Sequence, residues 1–407
     1  MRSTEKQYSF QTVIDTGSKI REVVESQMRN AATKMVYELF RQEVERLCGA
    51  LFSRKIPGQC HRGGSDPGSV LIQGQRVSVR KPRVKQDGQD VDLETYEALQ
   101  DYDVLCERVV GHMLAGVSTR NYDPLLDDIA GGTGLSKSSV SEAFVRASKG
   151  ALDSLNSRDL QKYTFLSIMI DGIGFGDRTV VVALGIRDSG EKMILGIREG
   201  STENWEICRD LLESLVSRGL KTDLPVLFVI DGSKALKKAI RKVFGGRSPI
   251  QRCVRHKERN ILRYLPKERH AEFGRRWKEL HGSSDYTIAS RHYEDLKHWL
   301  GGINHAALES LQEAERETMT VIKMNLPPML RKTLLSTNPL ESAFSVLKPK
   351  VVRVKNWRSG PDQIARWAAT TLLDAETKFR KVRGFMHMYR LIDELKKIGI
   401  ESQTEVA

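Results

Sequence analysis

Two short apolar runs near the middle of the chain end in the same way. Phe165–Asp171 (FLSIMID) and Leu227–Asp231 (LFVID) are each followed at once by a glycine. Apolar runs that are rich in Ile, Val and Phe and bounded by glycine are typical of buried strands. Each run is therefore predicted to be a strand with an aspartate as its last residue. That position is the carboxyl end of the strand, where open α/β sheets place their chemistry.

The residues between these runs predict two further strands and a helix. Thr179–Ile186 (TVVVALGI) and Lys192–Ile197 (KMILGI) flank a tight turn, and a helix follows from about 204 to 218. Gly172–Gly176 (GIGFG) is typical of a dinucleotide loop, but such a loop leads into a helix and here a strand follows. A metabolic Rossmann enzyme is therefore disfavoured. Strand, strand, strand, helix and strand is the opening of the ribonuclease H-like fold, in which the first and fourth strands are neighbours.

That neighbour relation would place the two aspartates side by side. Close carboxylates repel each other, and a divalent metal ion is the usual relief. The pair alone would hold such ions poorly, so a third acidic ligand is expected.

The third acid is Glu341 in the string STNPLESAFSVLK. Asn338 is a good helix N-cap and Pro339 suits the first helical position. Glu341 comes three residues after the cap, so it could simply fold back on the cap as in a capping box. The alternative is that it completes a two-metal site with ions roughly 3.5–4 Å apart. Hard oxygen ligands favour Mg²⁺ or Mn²⁺ over zinc.

The regions that flank the strands are mainly helical in pattern. Helical spacing over Val23–Leu47 predicts a long helix, and a second helical stretch covers roughly 93–113. Residues 54–90 between them are basic and rich in Gly and Pro, and Val70–Val84 predicts a small hairpin or an ordered basic loop. Residues 251–330 are helical and charge-laced, and they predict an all-helical insertion into the sheet domain.

Residues 123–150 have the pattern of helix, turn and helix. Gly131–Gly134 breaks the first helix, and Ser136 can cap the second. The second helix opens with short polar residues, as a helix that enters a major groove needs. A plain helical hairpin with a solvated face is the alternative. The residues predicted to contact DNA here are Lys137, Ser138 and Ser139.

Composition and charge narrow the class of protein. The chain has 407 residues, enough for several domains, and a net charge of +13 with a pI near 9.4. A basic excess of this size favours a polyanionic partner, most commonly nucleic acid. The five cysteines are scattered and odd in number, so no disulfide framework is expected. No run is long and apolar enough for a signal peptide or a membrane helix, so a reducing cytoplasm is the expected location.

Four strings and the three acids together resemble a known family. The strings are LGIREGSTENW (195–205), RGL (218–220), QRCVRHKERN (251–260) and TNPLES (337–342). With Asp171, Asp231 and Glu341, they are similar to the mutator-type transposases of bacterial insertion sequences over nearly the whole chain.

The resemblance implies a DDE transposase with a ribonuclease H-like α/β core that an all-helical insertion interrupts. Asp171, Asp231 and Glu341 would be its catalytic, metal-binding triad, with two Mg²⁺ or Mn²⁺ ions per site. A mostly helical N-terminal region would bind the terminal inverted repeats in double-stranded DNA. The enzyme would cut the ends and transfer the strand to target DNA as a homodimer at the bacterial nucleoid.

The expected domain boundaries follow. Residues 1–112 form the N-terminal DNA-binding region, and 113–160 form the helix-turn-helix-like segment with a linker. Residues 161–250 are the first part of the core and 251–330 are the insertion. Residues 331–407 complete the core with basic C-terminal helices.

Two basic segments are predicted to contact DNA phosphates, which supply affinity and position rather than sequence choice. Their residues are Arg252, Arg255, His256 and Lys257, and then Lys348, Lys350, Arg353, Lys355 and Arg358. Cys253 and His256 form the Cys-x-x-His motif of the wider superfamily. One Cys and one His are only half a zinc site, so a structural or DNA-contacting role is favoured over metal binding.

Two alternative functions are left open. One is a ribonuclease H-like nuclease or junction resolvase that cuts DNA without transferring strands. The other is a DNA-binding regulator whose acids only stabilise the fold.

Overall fold

A computed structural model describes most of the chain, in two compact units, 1–147 and 148–407. The described residues are 10–51, 60–72, 75–100, 137–176, 178–200, 204–314, 316–352 and 362–404.

The first unit pairs a long helix with a small antiparallel sheet. Its elements in chain order are α1 (Phe10–Cys48), β1 (His61–Ile72), β2 (Gln75–Gln86), β3 (Gln89–Val91) and α2 (Glu94–Ala98). The strand order is β1-β2-β3. Val36 and Phe40 of α1 pack on Val70 and Val79 of the hairpin. The predicted hairpin is confirmed and is longer than expected, although helix is still the more abundant structure in the described part of this region.

The second predicted helix of the helix-turn-helix segment is present as α3 (Lys137–Ser157). It opens with Lys137, Ser138 and Ser139 and runs seven residues beyond the predicted end at 150. The first helix of the pair and Ser136 lie outside the described residues. The helix-turn-helix itself therefore stays a prediction, as does most of the helix predicted over 93–113.

A five-stranded sheet forms the centre of the second unit. Its strands are β4 (Phe165–Phe175), β5 (Arg178–Arg187), β6 (Lys192–Gly200), β7 (Leu227–Ile230) and β8 (Ile250–Arg252), in the order β6-β5-β4-β7-β8. The first three strands are antiparallel, whereas β7 is parallel to β4 and β8 is parallel to β7. The predicted three-stranded meander is confirmed, and so is the adjacency of its first strand, β4, to the fourth predicted strand, β7.

Two helices cover one face of this sheet. They are α4 (Trp205–Ser217), which Asn204 caps, and α5 (Lys234–Phe244), which Ser233 caps. Ile168 and Ile170 of β4 and Ile230 of β7 belong to the buried cluster under these helices. Because side chains alternate along a strand, Asp171 and Asp231 project from the opposite face.

The opposite face is covered by the C-terminal part of the chain. Its helices are α12 (Asn338–Val352), α13 (Gln363–Glu376) and α14 (Met388–Thr404), and α12 contacts β4 while α13 contacts β5 and β6. The predicted DNA-contacting residues Arg353, Lys355 and Arg358 follow α12 and lie outside the described residues. Among the helices that the structure describes, none joins the length and the apolar character that a membrane span requires.

Between β8 and α12 the described chain is helical, as predicted. The helices are α6 (Val254–Leu262), α7 (His270–Gly282), α8 (Tyr286–Gly301), α9 (His305–Glu313), α10 (Thr320–Lys323) and α11 (Pro328–Leu334). Phe273 and Trp277 stack in their core. The helical part begins at Val254 rather than at 251, because residues 250–252 still pair with β7 as the last strand. Within this segment, a 3₁₀ turn at Glu317–Met319 separates α9 from α10.

Candidate active site

Asp171 lies where the parallel pair of strands ends. Ile170 of β4 pairs with Ile230, the last residue of β7, so Asp171 comes one step beyond the paired region. It is not the last residue of its strand as predicted, because β4 continues to Phe175 along β5. Asp171 is 5% exposed, and its Oδ1 accepts a hydrogen bond of 2.9 Å from the Gly172 amide.

Asp231 follows β7 directly and is therefore the neighbour of Asp171 across the sheet. Its Oδ1 accepts a hydrogen bond of 3.0 Å from the amide of Ser233, the N-cap of α5. The Gly232 between them has a φ of +119°, a left-handed conformation that favours glycine. This tight turn fixes Asp231 at the start of α5.

Glu341 reaches the same edge from the first turn of α12. The carbonyl of Thr337 accepts the amides of Leu340 and Glu341, each at 2.9 Å, so the cap position is one residue earlier than predicted. The Glu341 carboxylate accepts a hydrogen bond of 2.6 Å from Arg259 and lies 3.5 Å from His256 Nε2. It is directed to its neighbours across the cleft, which favours the site interpretation over the capping box.

Asp171, His256 and Glu341 form a compact cluster, in which one potential ligand atom from each lies within 4.8 Å of the others. His256 Nε2 lies 3.9 Å from Asp171 Oδ2. Asp231 is not a member of this 4.8 Å cluster, but it is close enough to raise the pKa of Asp171. The structure thus brings Asp171 and Glu341 together, with Asp231 beside them and His256 added.

The electrostatics of the cluster show that ionising Asp171 is costly despite the cations nearby. Burial raises the pKa of Asp171 to about 7, and the nearby Asp231 and Glu341 add to the shift against the opposing His256. Burial acts to lower the pKa of His256, but the Cys253 thiol and Asp171 outweigh it and the pKa rises to about 9. The clustered carboxylate oxygens are ligands that suit a divalent cation, which would relieve the cost of the buried Asp171 charge. The residues therefore fit a metal ion.

Cys253 contacts Thr337, which lies between Asp171 and the helix that carries Glu341. It is fully buried, and its Sγ accepts hydrogen bonds of 3.4 Å from the amide and the hydroxyl of Thr337. The Thr337 hydroxyl also lies 3.3 Å from Asp171 Oδ2. Burial acts to raise the pKa of Cys253, but His256 and Thr337 outweigh it and the pKa is lowered. Cys253 thus serves packing, and within the described residues it joins no cluster of potential metal ligands.

His256 was assigned to DNA contact from the sequence, and its place among the acids was missed. Its Nδ1 is buried without a hydrogen bond of ordinary geometry, although Cys253 lies close enough to influence its pKa. The sequence did contain one indication of this place: Cys253 and His256 are three positions apart at the start of a helix, which puts them on one face of α6. The packing of α6 against α12, which brings His256 to Glu341, is not encoded in that spacing.

The cluster opens into a cleft of about 510 Å³. Ile173 and Phe344 supply apolar wall, and Arg259 and Lys348 supply positive charge. Lys348 lies two turns after Glu341 on the same helix face. The cleft therefore joins acidic groups to basic groups that could contact a phosphate.

Two of the predicted DNA contacts are instead buried in ion pairs. Arg252 is 3% exposed and Lys257 is 2% exposed, and both bind Glu313. Neither offers its charge to a ligand in this conformation, so the assignment to DNA is corrected. Arg255 is exposed and pairs with Glu258 at 3.3 Å, and Lys350 lies 3.6 Å from Asp374.

Comparisons with known proteins agree with the sequence resemblance. A family model described as "Transposase, Mutator family" matches residues 3–381. The transposase of insertion sequence IS6120 from Mycolicibacterium smegmatis is 27% identical over 288 residues, which cover 69% of this chain and 86% of that protein. The IS1201 transposase of Lactobacillus helveticus is 26% identical over 71% of this chain and 78% of its own length. The ISRM5 transposase of Rhizobium meliloti is 27% identical, over 80% and 83% respectively.

Proposed function

Because the chain belongs to the Mutator family of transposases, we propose that it is a DDE transposase that cuts and transfers the ends of its own insertion sequence. The observation that carries this proposal is that Asp171 and Glu341, which are distant in the sequence, meet at one cleft. Asp231 follows the neighbouring strand and is close enough to raise the pKa of Asp171.

The sheet supports a ribonuclease H-like core for this activity. The first four strands and the adjacency of β4 and β7 match the topology expected from the sequence, and β8 adds a further parallel strand beside β7. The helices from Val254 to Leu334 would then be the all-helical insertion between the second and third acids. This connection leaves Asp171 and Asp231 where the parallel pairing of β4 and β7 ends, the edge at which α/β sheets bind ligands, and brings Glu341 to it from α12.

Asp171, Asp231 and Glu341 would hold the divalent ions, Mg²⁺ or Mn²⁺, two per site. Bound ions of this kind activate an attacking oxygen and stabilise the leaving oxygen at phosphorus. Asp171 is 5% exposed, and the Thr337 hydroxyl lies 3.3 Å from its Oδ2, so this carboxylate would be held in place for the ions. Arg259 now binds Glu341 and would turn toward a DNA phosphate once the ions compete for that carboxylate.

Two successive displacements at phosphorus would follow in this one cleft. In the first, water attacks the phosphodiester at the element's end, the bond to the 3′ oxygen breaks, and a 3′-hydroxyl is released. In the second, that hydroxyl attacks a phosphodiester of target DNA, the bond from the phosphorus to the target strand's own 3′ oxygen breaks, and a new 3′-hydroxyl is released on the target. Both steps need the same in-line geometry, so one set of acids serves both. Lys348 would contact the phosphate that flanks the reacting one.

Double-stranded DNA is the proposed partner throughout. The N-terminal unit would bind the terminal inverted repeats, and the first turn of α3, with Lys137, Ser138 and Ser139, would contact the groove. Two ends must be cut in a coordinated way, so the working complex would be a homodimer. Such an enzyme would act at the bacterial nucleoid in the cytoplasm.

The proposal is tested with labelled duplexes that carry the element's ends, taken from the inverted repeats flanking the reading frame. The protein is incubated with Mg²⁺ and a target plasmid, and Asp171→Asn serves as the control. Products joined to the plasmid are expected from the wild type and absent from the variant. Cut ends without joined products would indicate a nuclease or resolvase, and binding without cutting would indicate a regulator. Either result would overturn the proposal.

A further inference from the structure

Arg252 lies directly beneath the turn that follows Asp231. It is the last residue of β8 and pairs in register with Ile230, the residue before Asp231. Its Nη1 donates a hydrogen bond of 2.9 Å to the carbonyl of Gly232. A guanidinium that is 3% exposed thus holds the backbone next to the second acid.

Arg252 packs so closely against Gly232 that a residue with a side chain would not fit at position 232. A Cβ built on Gly232 would lie 1.9 Å from Arg252 Nη1 and 2.9 Å from its Cζ. The positive φ of Gly232 is a second, independent reason for glycine. The guanidinium therefore limits the positions that this turn can adopt.

Two acids of the helical segment hold the guanidinium in turn. Arg252 Nη2 lies 3.2 Å from Glu313 and 3.3 Å from Glu317. Lys257 donates to Glu313 at 2.6 Å, and Lys237 lies 2.6 Å from Glu317. Three cations and two carboxylates thus join α5, β8, α6, α9 and the 3₁₀ turn. The guanidinium at the centre of this network is buried, and a buried charge persists only when it is paired, so these pairs fix the position of Arg252.

We propose that Arg252 is a positioning residue for Asp231, and that the helical segment supplies Glu313 and Glu317 to keep it in place. The inference rests on the proposed function, because it takes Asp231 to be a metal ligand. It gives the helical segment a role in the active site besides any contact with DNA. The partners of a metal ligand commonly affect metal affinity and activity by about 10–100-fold.

The experiment compares Arg252→Gln and Arg252→Lys with a matched control, Lys257→Met. Lys257 belongs to the same network and binds Glu313, but its recorded contacts are with Glu313 and Ser310 and not with Gly232. Each variant is characterised by thermal unfolding, by Mn²⁺ binding in the absence of DNA, by duplex binding, and by cleavage over a series of Mn²⁺ concentrations.

We expect Arg252→Gln to bind Mn²⁺ about 10–100-fold more weakly and to recover part of its cleavage at high Mn²⁺. Arg252→Lys, which keeps one charge but loses the planar fork, should be intermediate. Lys257→Met should lower the melting temperature while its Mn²⁺ affinity stays within about threefold of the wild type. Duplex binding should be unchanged in all three variants.

The positioning role is overturned if folded Arg252→Lys and Arg252→Gln bind Mn²⁺ as tightly as the wild type, whatever their stability. It is also overturned if Lys257→Met weakens Mn²⁺ binding as much as Arg252→Gln, because the effect would then be one of general stability. In both cases the proposed function still stands if the wild type cleaves DNA with Mn²⁺. A wild type that neither binds Mn²⁺ nor cleaves would reject the proposed function itself, and this inference with it.

Discussion

The basic residues on the two sides of the segment from Ile250 to Leu262 have different surroundings, and its sequence does not predict this difference. On one side, His256 and Arg259 face Asp171 and Glu341 across an open cleft. On the other side, Arg252 and Lys257 are enclosed with carboxylates of the helical segment. All four are basic residues within one short string.

This difference distinguishes basic residues that could act on a ligand from basic residues that stabilise the fold. Cations in an open cleft are solvated and can exchange a carboxylate for a phosphate, so their loss should change catalysis or binding. Cations enclosed with carboxylates cannot exchange partners, and their loss leaves an uncompensated charge that lowers stability. Variants on the two sides should therefore fail in different assays.

The largest effect is expected from Asp171→Asn, which removes a proposed metal ligand from the cleft. Strand cleavage should fall by at least about 10³-fold, since several kcal/mol of transition-state stabilisation are lost with the metal. Repeat binding should stay within a few fold of the wild type. Gel assays of both activities on one duplex make the comparison, and retention of normal cleavage would remove Asp171 from the site.

The same variant should change the pH dependence of stability. The pKa of Asp171 rises from 3.8 to about 7 on folding, so its contribution is fully present below pH 3.8 and is lost as the pH rises through 7. Without metal, Asp171→Asn should therefore gain stability over the wild type between pH 4 and 7, by at most about 1.4 kcal/mol per pH unit. Thermal melts across this range test the sign, and a constant difference would contradict it.

The next effect concerns His256. Replacing it with alanine should reduce cleavage by about 10–100-fold, because it contacts two of the carboxylates from within the cluster. The matched control is His305→Ala, since His305 is on α9 and its side chain is 80% exposed. Single-turnover cleavage rates of the two variants are compared. Equal cleavage rates for the two variants would show that His256 takes no part in catalysis.

On the enclosed side, Lys257→Met should show the opposite result. The free energy of unfolding should fall by about 1–3 kcal/mol, because Glu313 loses a buried partner. Cleavage by the folded protein should stay within a few fold of the wild type. Lys297→Met, which removes an exposed pair with Glu294, should cost no more than about 0.5 kcal/mol. Denaturant melts measure both, and a loss of cleavage without a loss of stability would reverse the assignment.

The smallest effect is expected from Lys348→Ala at the rim of the cleft. Loss of one phosphate contact should reduce the slope of log K against log salt by about 0.9 and weaken binding only a few fold. Lys378→Ala, at a position where the side chain is 73% exposed, is the control. Duplex binding over a salt series gives the slopes. An unchanged slope would show that Lys348 does not contact DNA.

Local patterns were enough to predict four of the five strands of the central sheet and the adjacency of β4 and β7. Runs such as Phe165–Asp171 are short, rich in Ile, Val and Phe and bounded by glycine, which favours a buried strand over a helix. Glu341 was also found, because a helix start has a clear local signature, although the cap proved to be Thr337.

The fate of the basic residues could not be predicted in this way. Arg252 is buried because Glu313 and Glu317 lie against it, and these acids come some 60 residues later in the chain. His256 meets Glu341 across 85 residues for the same kind of reason. A charge run has no period that tells an enclosed face from an open one, so tertiary packing alone decides.

The most direct test of the central claim is to locate the bound ions on the protein itself. Fe²⁺ is loaded in place of Mg²⁺, and hydroxyl radicals formed with ascorbate and peroxide cut the backbone beside the ion. The expected fragments end near Asp171, Asp231 and Glu341, disappear when Mg²⁺ competes, and are lost in Asp171→Asn. Cuts that map elsewhere, or an unchanged pattern in the variant, would contradict a shared metal site at these three acids.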